Sequence, residues 1–265
     1  MAADLKFALA GLLVGTLVGG SGMGGGSVMT PLLIALGLPP TKAVGSDLVY
    51  SAITKTLGSA SHWRRGHVDW RLAGWLAAGS VPASVAGVIT LGRIKARLGG
   101  NTDALVAHVL GGMLIVAGGL IVVRLVLATR RRAQGDDGRF TSSEHVPLST
   151  RRKAVTVLLG AMGGYGVGFT SIGSGTLFAV ALMTSYPLVA QRVVGTDIFH
   201  ATLLVWAAGL AHALSGNVEF STVGALLVGS VPGVLIGSNL CGRLPERPVR
   251  AALGGVLVLS GALLV

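Results

Sequence analysis

Charge is scarce in this chain. Asp, Glu, Lys and Arg together make up 12% of the 265 residues, against about 25% in a soluble domain, and the mean hydropathy is +0.74. That shortage excludes an ordinary soluble globular protein. Acidic residues are scarcer still, 10 against 21 Lys and Arg, which leaves a net charge of +11. In a soluble chain such an excess points to nucleic acid. Here the basic residues lie in short loops between apolar runs, where they act as topology signals, and no nucleic-acid partner is expected. A single cysteine, Cys241, excludes an intramolecular disulfide. Met1–Lys6 has neither a cationic start nor a small-residue cleavage site, so it is read as a mature N-terminus and not as a signal peptide.

Chemical motifs are missing as well. No Gly-Lys-Ser/Thr occurs, and although Gly20-x-Gly22-x-x-Gly25 fits G-x-G-x-x-G, no strand precedes it and no βαβ unit follows. There is no H-E-x-x-H, no Ser/His/Asp set and no acid pair at catalytic spacing, which argues against an intramembrane enzyme. No cofactor and no metal site are expected.

Apolar runs are plentiful. They lie near 5–19, 27–38, 44–60, 70–91 and 104–128, then near 154–168, 175–186, 194–214, 221–241 and 249–265. The polar segment 129–153 is the one sizeable loop. Chain length allows roughly eight to ten helical segments of about 20 residues or fewer. The 42 glycines suit close packing of membrane helices.

Five glycines fall between Gly20 and Gly26, inside an apolar run. Each costs about 1 kcal/mol in a helix interior relative to alanine, so this stretch is expected to break a helix. A second break is expected at Gly168–Thr176. In a membrane, freed backbone is tolerated only where protein covers it or it lines a cavity, and paired breaks in two halves point to a transporter's binding site.

The halves repeat. Gly11, Gly15, Gly19, Gly24 and Gly26 match Gly160, Gly164, Gly168, Gly173 and Gly175 at an offset of 149, as Ser27 matches Thr176. After a one-residue slip, Gly45-Ser46-Asp47 matches Gly195-Thr196-Asp197 at an offset of 150, and the register holds through His62/His212, Asp69/Glu219 and Gly79-Ser80-Val81-Pro82/Gly229-Ser230-Val231-Pro232. Each half has five apolar stretches, the first two being full spans or one re-entrant hairpin. Either way an odd number of crossings remains, so the second half is expected to be inverted. Loop 61–71 has Arg64, Arg65 and Arg71, whereas its counterpart 213–220 has no arginine. This bias puts the 129–153 linker in the cytoplasm and both termini outside. Lys6 and Lys42 then lie outside, and the outside cluster Arg93, Lys95 and Arg97 runs against the bias. The expected fold is an all-α polytopic membrane protein with two inverted-topology repeats of about five helical segments each. Residues 1–128 form the first repeat and 154–265 the second, with broken or re-entrant helices at the glycine-rich breaks.

Gly22-Met-Gly-Gly-Gly-Ser-Val-Met-Thr-Pro-Leu-Leu, followed by Leu36-Gly-Leu-Pro-Pro-Thr-Lys-Ala-Val-Gly-Ser-Asp, resembles the signature of the sulfite exporter TauE/SafE family, also called the toluene-sulfonate uptake permeases. The resemblance covers nearly the whole chain, with a looser glycine motif in the second half. It implies a multi-pass inner-membrane transporter of sulfur-containing organic or inorganic anions. Substrate and direction differ among members and do not carry over.

A helix that begins just after a glycine break offers free N–H groups and the positive end of its dipole, a natural anion site. Gly24, Gly25, Gly26 and Ser27, with Gly173, Ser174, Gly175 and Thr176, are the candidate substrate-binding residues. The competing reading is that these glycines only permit close helix crossing. Asp47 and Asp197, read as lying at the start of their helices, are either first-turn carboxylates or coupling and gating groups, since acids at membrane depth are rare. Lys55, about two turns after Asp47, either pairs with it, attracts the anion or snorkels. His200 replaces Tyr50 of the first half, and both are candidates for the pathway. His62 and His212 are read as interface histidines on opposite sides. Pro82 and Pro232 are expected to kink their helices. The function expected is secondary transport by alternating access around a midplane site. The rivals are an anion channel on the same scaffold and, less favoured, the intramembrane enzyme. The expected partners are a small anion and the bilayer, and a coupling proton or ion and a homo-oligomer are left open.

Overall fold

The computed structural model describes residues 2–21, 26–98, 102–133, 148–173, 177–186, 188–240 and 246–265. Ten helices and no strand occur among them: α1 (Ala2–Ser21), α2 (Gly26–Ala35), α3 (Pro40–Arg64), α4 (Trp70–Leu98), α5 (Thr102–Ala133), α6 (Thr150–Thr170), α7 (Leu177–Ser185), α8 (Ala190–Leu214), α9 (Phe220–Leu240) and α10 (Glu246–Leu264). Among the described residues four stretches are long and apolar enough to cross a membrane: Trp70–Arg97, Thr102–Val123, Gln191–Leu214 and Phe220–Gly237. Leu9, Leu13, Leu158, Met162, Val228 and Leu235 are exposed on the outer faces. Such faces suit lipid, which is as apolar as they are.

The helices pack mainly across the sequence midpoint. α1 lies on α9, α4 on α6, α3 on α8 and α5 on α10. Leu48, Leu72, Leu76, Leu110 and Leu204 are among the buried residues where α3, α4, α5 and α8 meet. Small residues set the crossings. A Cβ on Gly229 would strike the carbonyl of Ala8, and one on Gly79 the carbonyl of Val157.

Contacts recur with the halves exchanged. The Glu219 amide donates to Ser46 Oγ at 2.9 Å, and the Asp69 amide donates to Thr196 Oγ1 at 2.9 Å. Gly45 abuts the carbonyl of Asn217, as Gly195 abuts that of His67. His200 Nε2 and Ser80 Oγ lie 2.8 Å apart, and Tyr50 and Ser230 stand at the matching positions of the other half.

The first two helices of each half return to the end from which they set out. Lys6 Nζ, near the start of α1, donates to the carbonyl of Leu36 just past α2, at 2.6 Å. The hydroxyls of Thr156, near the start of α6, and Tyr186, just past α7, share a hydrogen bond. The first hairpin opens at the end where Lys42 pairs with Glu219 and Thr41 Oγ1 donates to Asp103 Oδ1. The second opens where Lys153 stands over the Trp75 ring, 5.2 Å from its centroid.

Two expectations need correction. Asp47 and Asp197 do not sit at helix starts, because α3 begins at Pro40 and α8 at Ala190. Both acids are about two turns inside. The polar first turn of α3 is held by Asp103 and Glu219 and so does not register as part of an apolar run. His212 is also no interface residue: it is fully buried, and its Nε2 donates to the carbonyl of Gly168 at 2.8 Å. Pro82 and Pro232 do lie inside α4 and α9.

Candidate functional site

Asp47 and Lys55 on α3 and Asp197 and His200 on α8 form a buried polar seam, and Tyr50 on α3 is buried toward α1, α2 and α9. Asp47 is 0% exposed, Asp197 4% and Lys55 7%; Tyr50 and His200 are buried too. α3 and α8 have 25 residues each, about 37 Å at 1.5 Å per residue, so these groups sit well inside the helices. Thr202 Oγ1 on α8 donates to the Lys55 carbonyl at 3.2 Å, and Trp206 Nε1 donates to Thr56 Oγ1 at 2.9 Å. These bonds fix α8 against the stretch of α3 that bears Lys55. The Lys55 ammonium acts electrostatically on both Asp197 and Asp47, and on His200.

Asp47 is held by hydroxyls. Thr30 Oγ1 on α2 donates to its Oδ2 at 2.5 Å, and Ser171 Oγ donates to the same oxygen at 2.8 Å. Ser51 Oγ, one turn on in α3, donates to Oδ1 at 3.2 Å. An ionised carboxylate only accepts hydrogen bonds, so three hydroxyls meet much of its demand. The sequence reading missed Thr30, Ser51 and Ser171. Ser51, four residues after Asp47 on one helix face, was within reach of that reading; the other two come from distant segments.

Those two donors come from segments beside the two glycine runs. Thr30 lies one turn beyond Ser27, and Ser171 two residues before Gly173. Asp47 therefore ties together the segments next to both glycine runs. Gly24, Gly25, Ser174, Gly175 and Thr176 lie outside the described residues. Gly26 and Ser27 form the first turn of α2. Helix α6 ends where Ser171 adopts φ 64° and donates its N–H to the Val167 carbonyl. Gly173 follows with φ +103°, a value glycine tolerates at little cost.

Asp197 has a different setting. Its Oδ1 is buried without a hydrogen-bond partner among the described residues, as is Nδ1 of His200. Phe178 presents an edge-on contact to the His200 ring, with centroids 4.5 Å apart. The positions that match the hydroxyl donors of Asp47 hold Ala179, Ala201 and Gly22, so the set of donors is not repeated. The position that matches Lys55 is Val205. Among the described residues no group of three or more His, Cys, Asp or Glu could hold a metal.

This is a polytopic helical protein with a charged seam buried among apolar helices, the arrangement expected where a membrane protein handles ions or polar solutes. The chain matches the sulfite exporter TauE/SafE family over residues 7–264, and it belongs to that family of membrane transporters. It is 42% identical over 262 residues to the probable membrane transporter protein YjnA of Bacillus subtilis, covering 99% of this chain and 100% of that protein. It is 27% identical to the probable membrane transporter protein YdhB of the same organism, covering 96% of each. A probable membrane transporter protein of Xylella fastidiosa is 26% identical, covering 96% of this chain and 92% of that one. No solved structure matches.

Proposed function

We propose that this protein is a secondary transporter of small sulfur-containing anions, sulfite or a sulfonate, working by alternating access around a site between the two glycine breaks. The observation that carries the reading is the buried Lys55 ammonium, set against Asp197 and Asp47, with the segments beside both glycine runs converging on Asp47. A cation at membrane depth attracts an anion, and donors at Gly24–Ser27 and Gly173–Thr176 would orient its oxygens. Tyr50 and His200 line the route from α3 and α8. The halves 1–128 and 154–265 are read as inverted repeats joined by a cytoplasmic linker at 129–153, with the termini outside. Hairpins that open at opposite ends support inversion, as do contacts that recur with the halves exchanged. Arg64, Arg65 and Arg71 near one end support the orientation.

Counterflow tests the carrier reading. Proteoliposomes loaded with unlabelled sulfite or methanesulfonate should take up the labelled anion transiently above equilibrium. Flux without overshoot would replace the carrier with a channel, and no flux of either anion would overturn the substrate class.

A further inference from the structure

His212 lies in the last turn of α8, yet what it touches is the second glycine break. Helix α6 ends there. The Ser171 amide donates to the Val167 carbonyl, and the next amide, that of Ile172, turns to Thr170 Oγ1 at 3.3 Å. In an α-helix each carbonyl accepts from the amide four residues on, so the Gly168 carbonyl loses its helical donor at this step. A buried carbonyl left unmet is costly. His212 Nε2 stands 2.8 Å from that oxygen and supplies the missing N–H from another helix.

A neutral imidazole donates from one ring nitrogen and accepts at the other, and the partner of one decides the role of both. His212 Nδ1 lies 3.5 Å from Asn217 Nδ2. Lys95 Nζ, at the exposed end of α4, donates to Asn217 Oδ1 at 3.2 Å. An ammonium only donates, so Lys95 draws the side-chain carbonyl of Asn217 to itself and turns the NH2 group toward His212. Nδ1 then accepts, and Nε2 carries the proton that the Gly168 carbonyl needs. His212 and Asn217 are 0% and 1% exposed, which keeps bulk water from both. The Asn217 backbone is fixed as well: its amide donates to the His212 carbonyl at 3.0 Å, and its own carbonyl abuts Gly45.

The first half has the same backbone arrangement. His62 and His67 stand at the matching positions, the His67 amide donates to the His62 carbonyl at 3.1 Å, and the His67 carbonyl abuts Gly195. Nδ1 of each, however, is buried without a hydrogen-bond partner among the described residues. Among those residues the donor chain is formed at the second break and not at the first.

We infer that His212 is a positioning residue for transport: it holds the end of α6 at the second glycine break, and Asn217 and Lys95 fix the tautomer that lets it do so. Three residues past Gly168, Ser171 reaches Asp47, and Gly173 follows with its left-handed backbone. The placing of the Gly168 carbonyl therefore sets the placing of the donors proposed at Gly173–Thr176. This rests on the reading of the chain as an anion carrier with its site at the glycine breaks.

The experiment uses the full-length protein, in liposomes with labelled sulfite and, separately, labelled methanesulfonate. The KM of counterflow and the thermal midpoint are compared among the wild type, Lys95→Met, Asn217→Ala, His212→Ala and His212→Gln. His212→Ala and Asn217→Ala should raise KM several-fold, and Lys95→Met, at an exposed site, should raise it less. Glutamine still offers an amide N–H to Gly168, so His212→Gln should keep KM near the wild-type value. Lower thermal midpoints with unchanged KM would reduce the three residues to a stabilising role and overturn the inference. A KM raised as much in His212→Gln as in His212→Ala overturns it too, because the N–H would then be irrelevant. If His212→Ala does not fold, the KM values of Asn217→Ala and Lys95→Met decide. Nitrogen NMR of isotope-labelled histidine reads the tautomer without transport, the His212 signals being those lost in His212→Gln. A proton on Nε2 alone is expected, and a proton on Nδ1 alone overturns the donor chain. Absence of wild-type counterflow with both anions, with the tautomer as expected, overturns the carrier reading and the role in transport while the donor chain stands.

Discussion

The Ser171 hydroxyl donates to Asp47 Oδ2 at 2.8 Å, tying the end of α6 to α3 across 124 residues of sequence. The same oxygen accepts from Thr30 on α2. Removing one donor from a buried carboxylate costs about 1–3 kcal/mol, so Ser171→Ala should lower the thermal midpoint of the purified protein. Ser171→Gly provides the control. Glycine suits the left-handed backbone at this position, where φ is 64°. A comparable loss in both variants assigns the effect to the hydroxyl, and a gain in Ser171→Gly would assign it to the backbone.

Glycines of this chain differ sharply in what surrounds them. At Gly229 a Cβ would meet the carbonyl of Ala8 and lie 2.9 Å from the Leu12 amide; at Gly79 it would lie 2.9 Å from the Ala161 amide. Nothing stands within 4 Å of a Cβ built on Gly224 or Gly74. Overpacking costs about 1–3 kcal/mol, while alanine at an open helical site gains about 0.5–1 kcal/mol over glycine. Gly229→Ala and Gly79→Ala should lower the thermal midpoint, and Gly224→Ala and Gly74→Ala should leave it unchanged or raise it. Thermal unfolding of the four variants in one detergent separates the two classes.

Among the described residues ten helices correspond to ten apolar runs, because hydropathy alone reports which segments avoid water. Helix starts were less legible. Thr41 and Lys42 begin α3 as polar residues because Asp103 and Glu219 satisfy them, and pattern reading therefore began that helix too late and put Asp47 in its first turn. His212 was assigned to the interface for a similar reason. A histidine near a helix end usually meets water, but here the α6 carbonyl of Gly168 accepts a hydrogen bond from its ring N–H. The seam itself was partly legible, since Asp47, Lys55 and Asp197 are conspicuous in apolar surroundings. What distinguishes the two acids was not, because Thr30 and Ser171 reach Asp47 only through tertiary packing.

Ser27 and Gly25 test the proposed anion site directly. Ser27 lies in the first turn of α2, where backbone N–H groups have no partner within the helix. Ser27→Ala removes a hydroxyl donor and should weaken anion binding several-fold. Gly25→Leu, which fills the break, should abolish transport. A ligand that binds only the folded state raises its thermal midpoint, so the shift produced by sulfite or methanesulfonate reads binding separately from flux. Wild-type shifts and uptake in both variants would remove the glycine break from the site.

The Lys42–Glu219 pair supplies a pH test outside the spans. Lys42 Nζ lies 2.8 Å from Glu219 Oε2, with both side chains partly exposed. The hydrogen bond from Lys42, and then its charge, hold the Glu219 carboxyl below its usual range. A depressed carboxylate contributes stability above its unfolded value and loses it as pH falls through the lower, folded value. Glu219→Gln should therefore lower the thermal midpoint slightly at neutral pH and have no effect once the solution is acid enough to protonate the folded carboxyl. Exposed pairs are weak and salt-screened, so high salt should shrink the neutral-pH difference as well. The same pair anchors the first turn of α3 to the start of α9, with Lys42 five residues before Asp47 along the chain. Counterflow in Glu219→Gln should nonetheless persist, because the Glu219 amide still donates to Ser46 Oγ. Thermal unfolding across acid and neutral pH at two salt concentrations checks the sign. A difference that grows as pH falls would show that the carboxyl, not its ionised form, is the stabilising partner.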